Sequence, residues 1–413
     1  MSNLRDEALH IHKVNQGKLK TSSKVPVNNA KDLSLAYSPG VAEPCKEIYS
    51  NNRAVYDYTM KGNMVAVVSN GSAVLGLGNI GPEASLPVME GKSVLFKSFA
   101  GVDSFPLCLN TSNIDEIVET VKRLEPTFGG INLEDIAAPD CFIIEEQLKK
   151  EMRIPIFHDD QHGTAIVTVA GLLNALKLTK KSFKNIKVVA NGAGAAGMAI
   201  IKMLENFGVS NIIMCDSQGA IYEGRPRRMN NVKEVVAKKT NPHKLKGSLE
   251  EVIEGADVFI GVSVGGALTT EMVKKMNKDP IIFAMANPDP EILPEDAKKA
   301  GAKIIGTGRS DFPNQVNNVL AFPGIFRGAL DVWATRINER MKMAAVEGIA
   351  GLIGEDELNE DYVIPGPFDS RVAPIVASSV AKAAMESGVA RINVDPEEVA
   401  ERTRKLVSEQ QSN

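Results

Sequence analysis

Cysteine is scarce in this chain. Cys45, Cys108, Cys141 and Cys215 are scattered over 413 residues with no CxxC pair. That scatter argues against a thiolate zinc site and against a disulfide framework, and it points to a reducing cytoplasm. Long apolar runs are missing too. None reaches the roughly 18 residues of a membrane span, and the polar start MSNLRDEALH offers no signal-peptide core. There is no basic excess either: 47 Lys and Arg stand against 51 Asp and Glu, a formal charge of -4 that gives nucleic acid no surface to bind. Aromatics make up 5%, whereas 34 glycines suit an α/β enzyme rich in tight turns. Hydrophobic content of 44% is that of a globular protein, and the length favours two domains over one core.

What is present alternates between strand and helix patterns. Residues 1–60 read as irregular and partly helical, with Ser38-Pro39-Gly40 as a firm turn. Residues 64–69, the Asn70-Gly71 turn and the answering 73–77 read as a hairpin. Apolar residues at Ile114, Ile117, Val118 and Val121 predict a helix over 113–124, and 129–136 reads as a short strand. Beyond His162 come a helix over 164–178, a strand over 187–190, a helix over 198–207 and a strand over 211–215 ending at Asp216. Apolar runs at 257–262, 281–284 and 303–306 continue the series, and the tail reads as helical over 328–349, 372–387 and 396–408. This alternation predicts an α/β fold. A doubly wound, parallel-sheet, Rossmann-type domain follows a smaller N-terminal α/β domain, with the boundary near residue 160.

The pattern GxGxxG occurs twice, at 76–81 and at 192–197. A dinucleotide loop must follow a strand and open a real helix, whose free N–H groups and positive end hold the pyrophosphate. Pro82, Pro87 and Gly91 after the first loop leave room for barely two turns, so it reads as a structural turn. The second loop, Gly192, Ala193, Gly194, Ala195, Ala196 and Gly197, opens an unbroken amphipathic run. Asp216, near the expected offset, would accept from an adenosine ribose 2′-OH and favour NAD. Arg225, Arg227 and Arg228 could serve the 2′-phosphate of NADP, but read more simply as a solvated loop.

Two acidic pairs, Glu134-Asp135 and Asp159-Asp160, each end an apolar run. Carboxylates from two strand ends suit a hard cation such as Mg2+ or Mn2+, with Glu134, Asp135 and one of the second pair as ligands. His158 and His162, without nearby cysteines, read as packing or hydrogen-bonding residues. Lys92 and Lys97 could be surface charges, and Tyr37, before the rigid turn, could be a structural donor; alone, neither type marks a catalyst.

Taken together, AYSPGVAEPC, LGLGNIGPEASLPVMEGKSVLFK, INLEDI, FHDDQHGTA, NGAGAAG, DSQGAIYEGR, MANPDPE and TGRSDFPNQVNNVLAFPGIFRGALD resemble the malic enzymes of the short bacterial and archaeal type, over roughly residues 10–390. The resemblance implies oxidative decarboxylation of (S)-malate to pyruvate and CO2 with NAD+ or NADP+ and Mg2+ or Mn2+, in a cytoplasmic homodimer or higher oligomer. It implies an N-terminal substrate domain over 1–160 and a dinucleotide domain with C-terminal helices over 161–413. It makes Tyr37 the general acid and Lys92 the general base, which also touches substrate. Glu134, Asp135 and Asp160 become metal ligands supported by Asp159, and the 192–197 loop with Asp216 the dinucleotide site. Asn287 and Asn318 would contact substrate or nicotinamide. Larger eukaryotic members place a substrate-binding arginine where this chain has Ala73, so the malate C4 carboxylate falls to Lys92, Arg309 or a partner subunit. The alternatives are a non-decarboxylating hydroxyacid dehydrogenase, which would need no metal, and a non-catalytic nucleotide sensor, which would lack acid, base or ligands.

Overall fold

Short runs of β-branched residues build two parallel sheets. The computed structural model describes residues 2–74 and 76–411, the side chains of 2, 3 and 411 excepted. The first sheet contains β1 (Met64–Ser69), β2 (Asp103–Cys108), β3 (Gly130–Leu133) and β4 (Ile156–His158), in the order β2-β1-β3-β4. The second contains β5 (Lys187–Asn191), β6 (Asn211–Asp216), β7 (Gly219–Ala220), β8 (Val258–Gly261), β9 (Ile281–Ala284) and β10 (Ile304–Thr307). Its order is β10-β9-β8-β5-β6-β7, parallel except at β7. The strand order reverses between β5 and β8, the crevice where doubly wound sheets bind dinucleotides. Mixed α/β architecture with a Rossmann-type sheet is what the alternating pattern predicted.

One helix joins the sheets. Asp159–Thr179 follows β4 directly and leads into β5, and almost every residue from Ala165 to Leu176 is buried. A single core runs from Val65, Val67 and Phe96 through that helix to Val188, Ala190 and the tail residues Met341 and Val376. Phe96, on the helix Pro82–Ala100, packs edge-on against Phe322 and Phe326 at 4.7 and 5.3 Å. The C-terminal part of the chain thus packs back onto the first sheet. Burying one such ring contributes roughly 1.5–3 kcal/mol.

Several expectations need correction. The hairpin does not form: β1 pairs in parallel with β2 and β3, and Val74 makes only an isolated bridge to Gly78. Leu75, in the expected second strand, lies outside the described residues. Val65 to Val68 are all fully buried, the mark of a parallel strand covered on both faces rather than a half-exposed hairpin. Pro82–Ala100 is one 19-residue helix, not two broken turns. Pro82 stands in its first turn, where no N–H is needed, and burial of Met89, Lys92, Ser93, Phe96 and Ala100 outweighs the bond lost at Pro87. The expected tail helix over 328–349 is two helices, Phe322–Asp331 and Glu339–Ala350, because Asn338 caps the second by accepting from Met341 N–H at 3.0 Å. No helix among the described residues is long and apolar enough to cross a membrane.

Candidate active site

The C-terminal ends of β3 and β4 deliver the acidic pairs to one place. Glu134 and Asp135 follow β3, and Asp159 and Asp160 open the helix after β4, its neighbour in the sheet. Asp135 adopts a left-handed φ of 52°, which turns its N–H onto Asp160 Oδ2 at 2.9 Å. Residues 72 and 73 brace that turn from the β1 side. Ala73 N–H donates to the Asp135 carbonyl at 3.0 Å, and Ser72 Oγ accepts from Ala137 N–H at 2.9 Å. Ligand oxygens of Glu134, Asp135 and Asp160 come within 4.8 Å of one another. Asp135 Oδ2 and Asp159 Oδ1 are buried without a hydrogen-bond partner.

Lys92 reaches this cluster from the middle of its helix. Its Nζ lies 2.8 Å from Glu134 Oε1 and 2.7 Å from Asp159 Oδ2, and 4.4 Å from the centroid of the Phe322 ring. Asn318 Nδ2 donates to the same Asp159 oxygen, and Asn132 Nδ2 donates to Glu134 Oε2 at 2.8 Å. Four carboxylates thus face one ammonium. Burial, then Asp160 and Glu134, push the Asp135 carboxyl up to about 8, and burial raises Asp159 to about 7 despite Lys92. Burial alone would lower Lys92, but Asp159 and Glu134 outweigh it, so the free site holds it protonated. An anionic cluster with orphaned buried oxygens fits a divalent cation.

The glycine loop follows β5 at the switch point. Gly192 has φ 121°, and a Cβ there would meet the Val262 carbonyl oxygen at 2.4 Å. At Gly197 a Cβ would meet the Gly192 carbonyl oxygen at 1.9 Å, so the helix Ala195–Asn206 starts only if that position is bare. Gly194 faces open space, where a pyrophosphate would approach. Ala193 and Ala196 complete the loop, and Ala195 packs against the core under the first sheet. Asn287 follows β9 and lies beside Gly76 and Gly308. Lys97 pairs with Asp103 instead of entering the cluster.

Two predicted residues stand elsewhere or are engaged. Tyr37 is 69% exposed, on an N-terminal arm in which no residue from 4 to 53 is buried. Asp216 closes β6 as expected, but Arg225 and Lys233 already hold it, and burial's upward pull is outweighed so that its carboxyl sits well below the usual range. Arg225 is therefore no solvated loop residue: it is 8% exposed.

Sequence reasoning missed three supports. His162 Nε2 lies 2.8 Å from Glu145 Oε1, which also accepts from the His158 N–H, and Lys342 Nζ approaches His162 Nδ1 at 3.2 Å. With Lys342 donating, the imidazole accepts at Nδ1 and donates Nε2–H to Glu145. Glu291, fully buried, accepts from Ser263 N–H and Ala286 N–H at 2.8 and 3.0 Å and so ties the β8 and β9 ends together. Only its place in MANPDPE hinted at this.

Comparison with known proteins agrees with the geometry. The family described as malic enzyme, N-terminal domain, matches residues 16–149, and malic enzyme, NAD binding domain, matches 161–385. The chain belongs to the malic enzyme family. It is 77% identical to the bifunctional malic/malolactic enzyme of Bacillus subtilis (strain 168), over 98% of each chain. It is 52% identical to the NADP-dependent malic enzyme of Escherichia coli (strain K12), covering 94% of this chain and 53% of that one. The crystal structure of malic enzyme from Pyrococcus horikoshii superposes with a TM-score of 0.95 at 47% identity, covering 99% of this chain and 97% of the other. The chain is an NAD- or NADP-dependent oxidoreductase of this family, with an NAD-binding domain.

Proposed function

We propose that this malic enzyme oxidatively decarboxylates (S)-malate to pyruvate and CO2 while reducing NAD+ or NADP+, in the cytoplasm. The observation that carries the reading is Lys92, buried between Glu134 and Asp159 beside the orphaned oxygen of Asp135. We put the domain boundary near residue 160; the end of β4 and the start of the joining helix there support it. Glu134, Asp135 and Asp160 would hold Mg2+ or Mn2+, which would supply a Lewis acid toward substrate oxygens, and the Gly192–Gly197 loop would hold the dinucleotide, which would supply the hydride acceptor for C2. Lys92 takes the C2 hydroxyl proton as the neutral amine, a form it reaches only by first releasing its ammonium proton to solvent when Glu134 turns to another positive charge. Asn318 fixes Asp159, hence Lys92; Asn287 orients substrate at the crevice. The C3–C4 bond breaks to release CO2, and Tyr37 protonates C3.

The exposed arm supports delivery of Tyr37 by a second copy of the chain. Leu9, Val14, Leu33, Leu35 and Tyr49 are exposed along it, an apolar surface that another subunit would cover. A partner would also answer the C4 carboxylate: Arg309 is paired with Asp311 at 2.7 Å, and Lys92 is held by its carboxylates. The reading is tested by product analysis. Mn2+-dependent formation of pyruvate and CO2 from malate supports it; oxaloacetate as the end product, insensitive to chelation, means a plain hydroxyacid dehydrogenase. Mixing inactive Lys92→Ala and Tyr37→Phe proteins tests the arm, since heterodimers regain one intact site only if Tyr37 acts across the interface.

A further inference from the structure

His158 is fully buried, yet neither of its ring nitrogens has a hydrogen-bond partner among the described residues. A neutral imidazole carries one N–H donor and one acceptor, and burying either unpaired is costly. The residue is nevertheless fixed by its backbone. It closes β4 opposite Leu133 of β3, and its N–H donates to Glu145 Oε1 at 3.2 Å. The ring therefore stands where the two strand ends deliver the acidic pairs.

Its Nδ1 faces Asp160 Oδ2 at 3.7 Å, just beyond hydrogen-bond reach. That oxygen already accepts from Asp135 N–H at 2.9 Å. Side-chain donors hold the neighbouring carboxylates: Lys92 and Asn132 on Glu134, Lys92 and Asn318 on Asp159. Asp160 is held from the backbone, and His158 is the side chain poised beside it. Asp160 is partly exposed and His158 is not, so the histidine backs the carboxylate from the protein side. A bare Nδ1 would set one lone pair against another, so the pairing requires the hydrogen on Nδ1.

We propose that His158 is a positioning residue for Asp160: in the cation-bound protein its Nδ1–H donates to Oδ2, which together with Asp135 N–H leaves Oδ1 to the divalent cation. The proposal rests on Glu134, Asp135 and Asp160 being the cation's ligands. It accounts for a buried histidine with two unpaired nitrogens, because the donor is satisfied only when the site is loaded. Partners behind a metal ligand fix its orientation, and losing one costs about 10–100-fold in metal affinity.

Calorimetric Mn2+ titration of the whole protein, without malate or dinucleotide, tests this with a crossed pair of variants. His158→Leu fills the space without a donor, so it should keep its urea stability in chelator but bind Mn2+ about 10–100-fold more weakly. His158→Asn places an amide N–H near the lost Nδ1–H, so it should lose packing and yet bind nearly as tightly as wild type. A packing role alone predicts the reverse order. His158→Leu binding Mn2+ as tightly as wild type, or His158→Asn binding as weakly as His158→Leu, overturns the proposal. Wild type supplies a second readout that needs no folded leucine variant. Its five histidines give a sparse imidazole NMR spectrum, in which the His158 signals are those missing from His158→Asn. With Mg2+ bound, that ring should carry its hydrogen on Nδ1; hydrogen on Nε2 overturns the assignment. Asp160→Ala is the control and should not bind Mn2+. If it binds normally, the ligand reading itself fails and the proposal falls with it.

Discussion

Replacing Lys92 by methionine separates the electrostatics of the site from its chemistry. Methionine keeps an apolar stem over Phe322 and deletes the ammonium. Glu134 and Asp159, 4% and 0% exposed, then lose the basic side chain that pairs with both. Removing one partner of a buried ion pair costs about 3–5 kcal/mol, because the remaining charge stays desolvated. In metal-free protein, urea unfolding should show a loss of that size. A divalent cation changes the balance, since Lys92 competes with it for the same carboxylates. The variant should therefore bind Mn2+ more tightly than wild type, although it cannot oxidise malate. At about 100 times the dissociation constant, binding contributes about 2.7 kcal/mol, enough to return most of the deficit. Calorimetric Mn2+ titration and urea unfolding with and without Mn2+ measure both quantities. Weaker Mn2+ binding in Lys92→Met, or unchanged metal-free stability, would refute the competition argument.

Asp160→Ala removes one of the three converging carboxylates and should abolish both Mn2+ binding and turnover; substantial Mn2+-dependent turnover would count against the ligand assignment. Lys342, 2% exposed, has its pKa lowered from 10.5 to about 8, first by burial and then by Lys149. Between those values the unfolded chain holds a proton that the folded one has released, so Lys342 makes stability rise with pH by about 1.4 kcal/mol per unit from about 8 to 10.5. Lys342→Met should lack that rise when its urea unfolding is compared with wild type across the range; identical pH profiles would contradict the burial argument.

Local signals carried some elements and not others. The helix Ile114–Arg123 was legible because Asn113 caps it and its apolar residues keep helical spacing. The second glycine loop was legible because its glycines answer local backbone demands, positive φ at Gly192 and close packing at Gly197. The 64–77 stretch misled because Asn70-Gly71 is a strong local hairpin signal, whereas β1 finds its partners at β2 and β3, far along the chain. Reading the unbroken apolar run as a covered parallel strand would have caught it. At Pro87, core burial overrode propensity. The acidic pairs were visible as strand ends, but the contact of Lys92 with Asp159, 67 residues away, is purely tertiary. The Glu145–His162–Lys342 chain joins three separated helices, and no spacing rule could reveal it.

Physical order within the site follows from where each group sits. The carboxylates lie at the ends of β3 and β4, and Lys92 on a helix whose Phe96 packs against Phe322 and Phe326 of the helix Phe322–Asp331, so their mutual distances are set by the core. The dinucleotide loop follows β5, joined to β4 by the buried helix that starts at Asp159. The glycine loop, the acidic cluster and Lys92 are therefore held by one continuous core. Tyr37 is not: its arm touches the rest of the chain through polar contacts such as Lys18 to Glu90 and Lys24 to Asp103. Exposed contacts of this kind hold little, typically under about 1 kcal/mol each. An acid carried on such an arm gains a fixed position only when its apolar residues are buried elsewhere. On the proposed reading, protonation of C3 by Tyr37 would be the step most sensitive to assembly, while proton removal by Lys92 would depend on the core of a single chain.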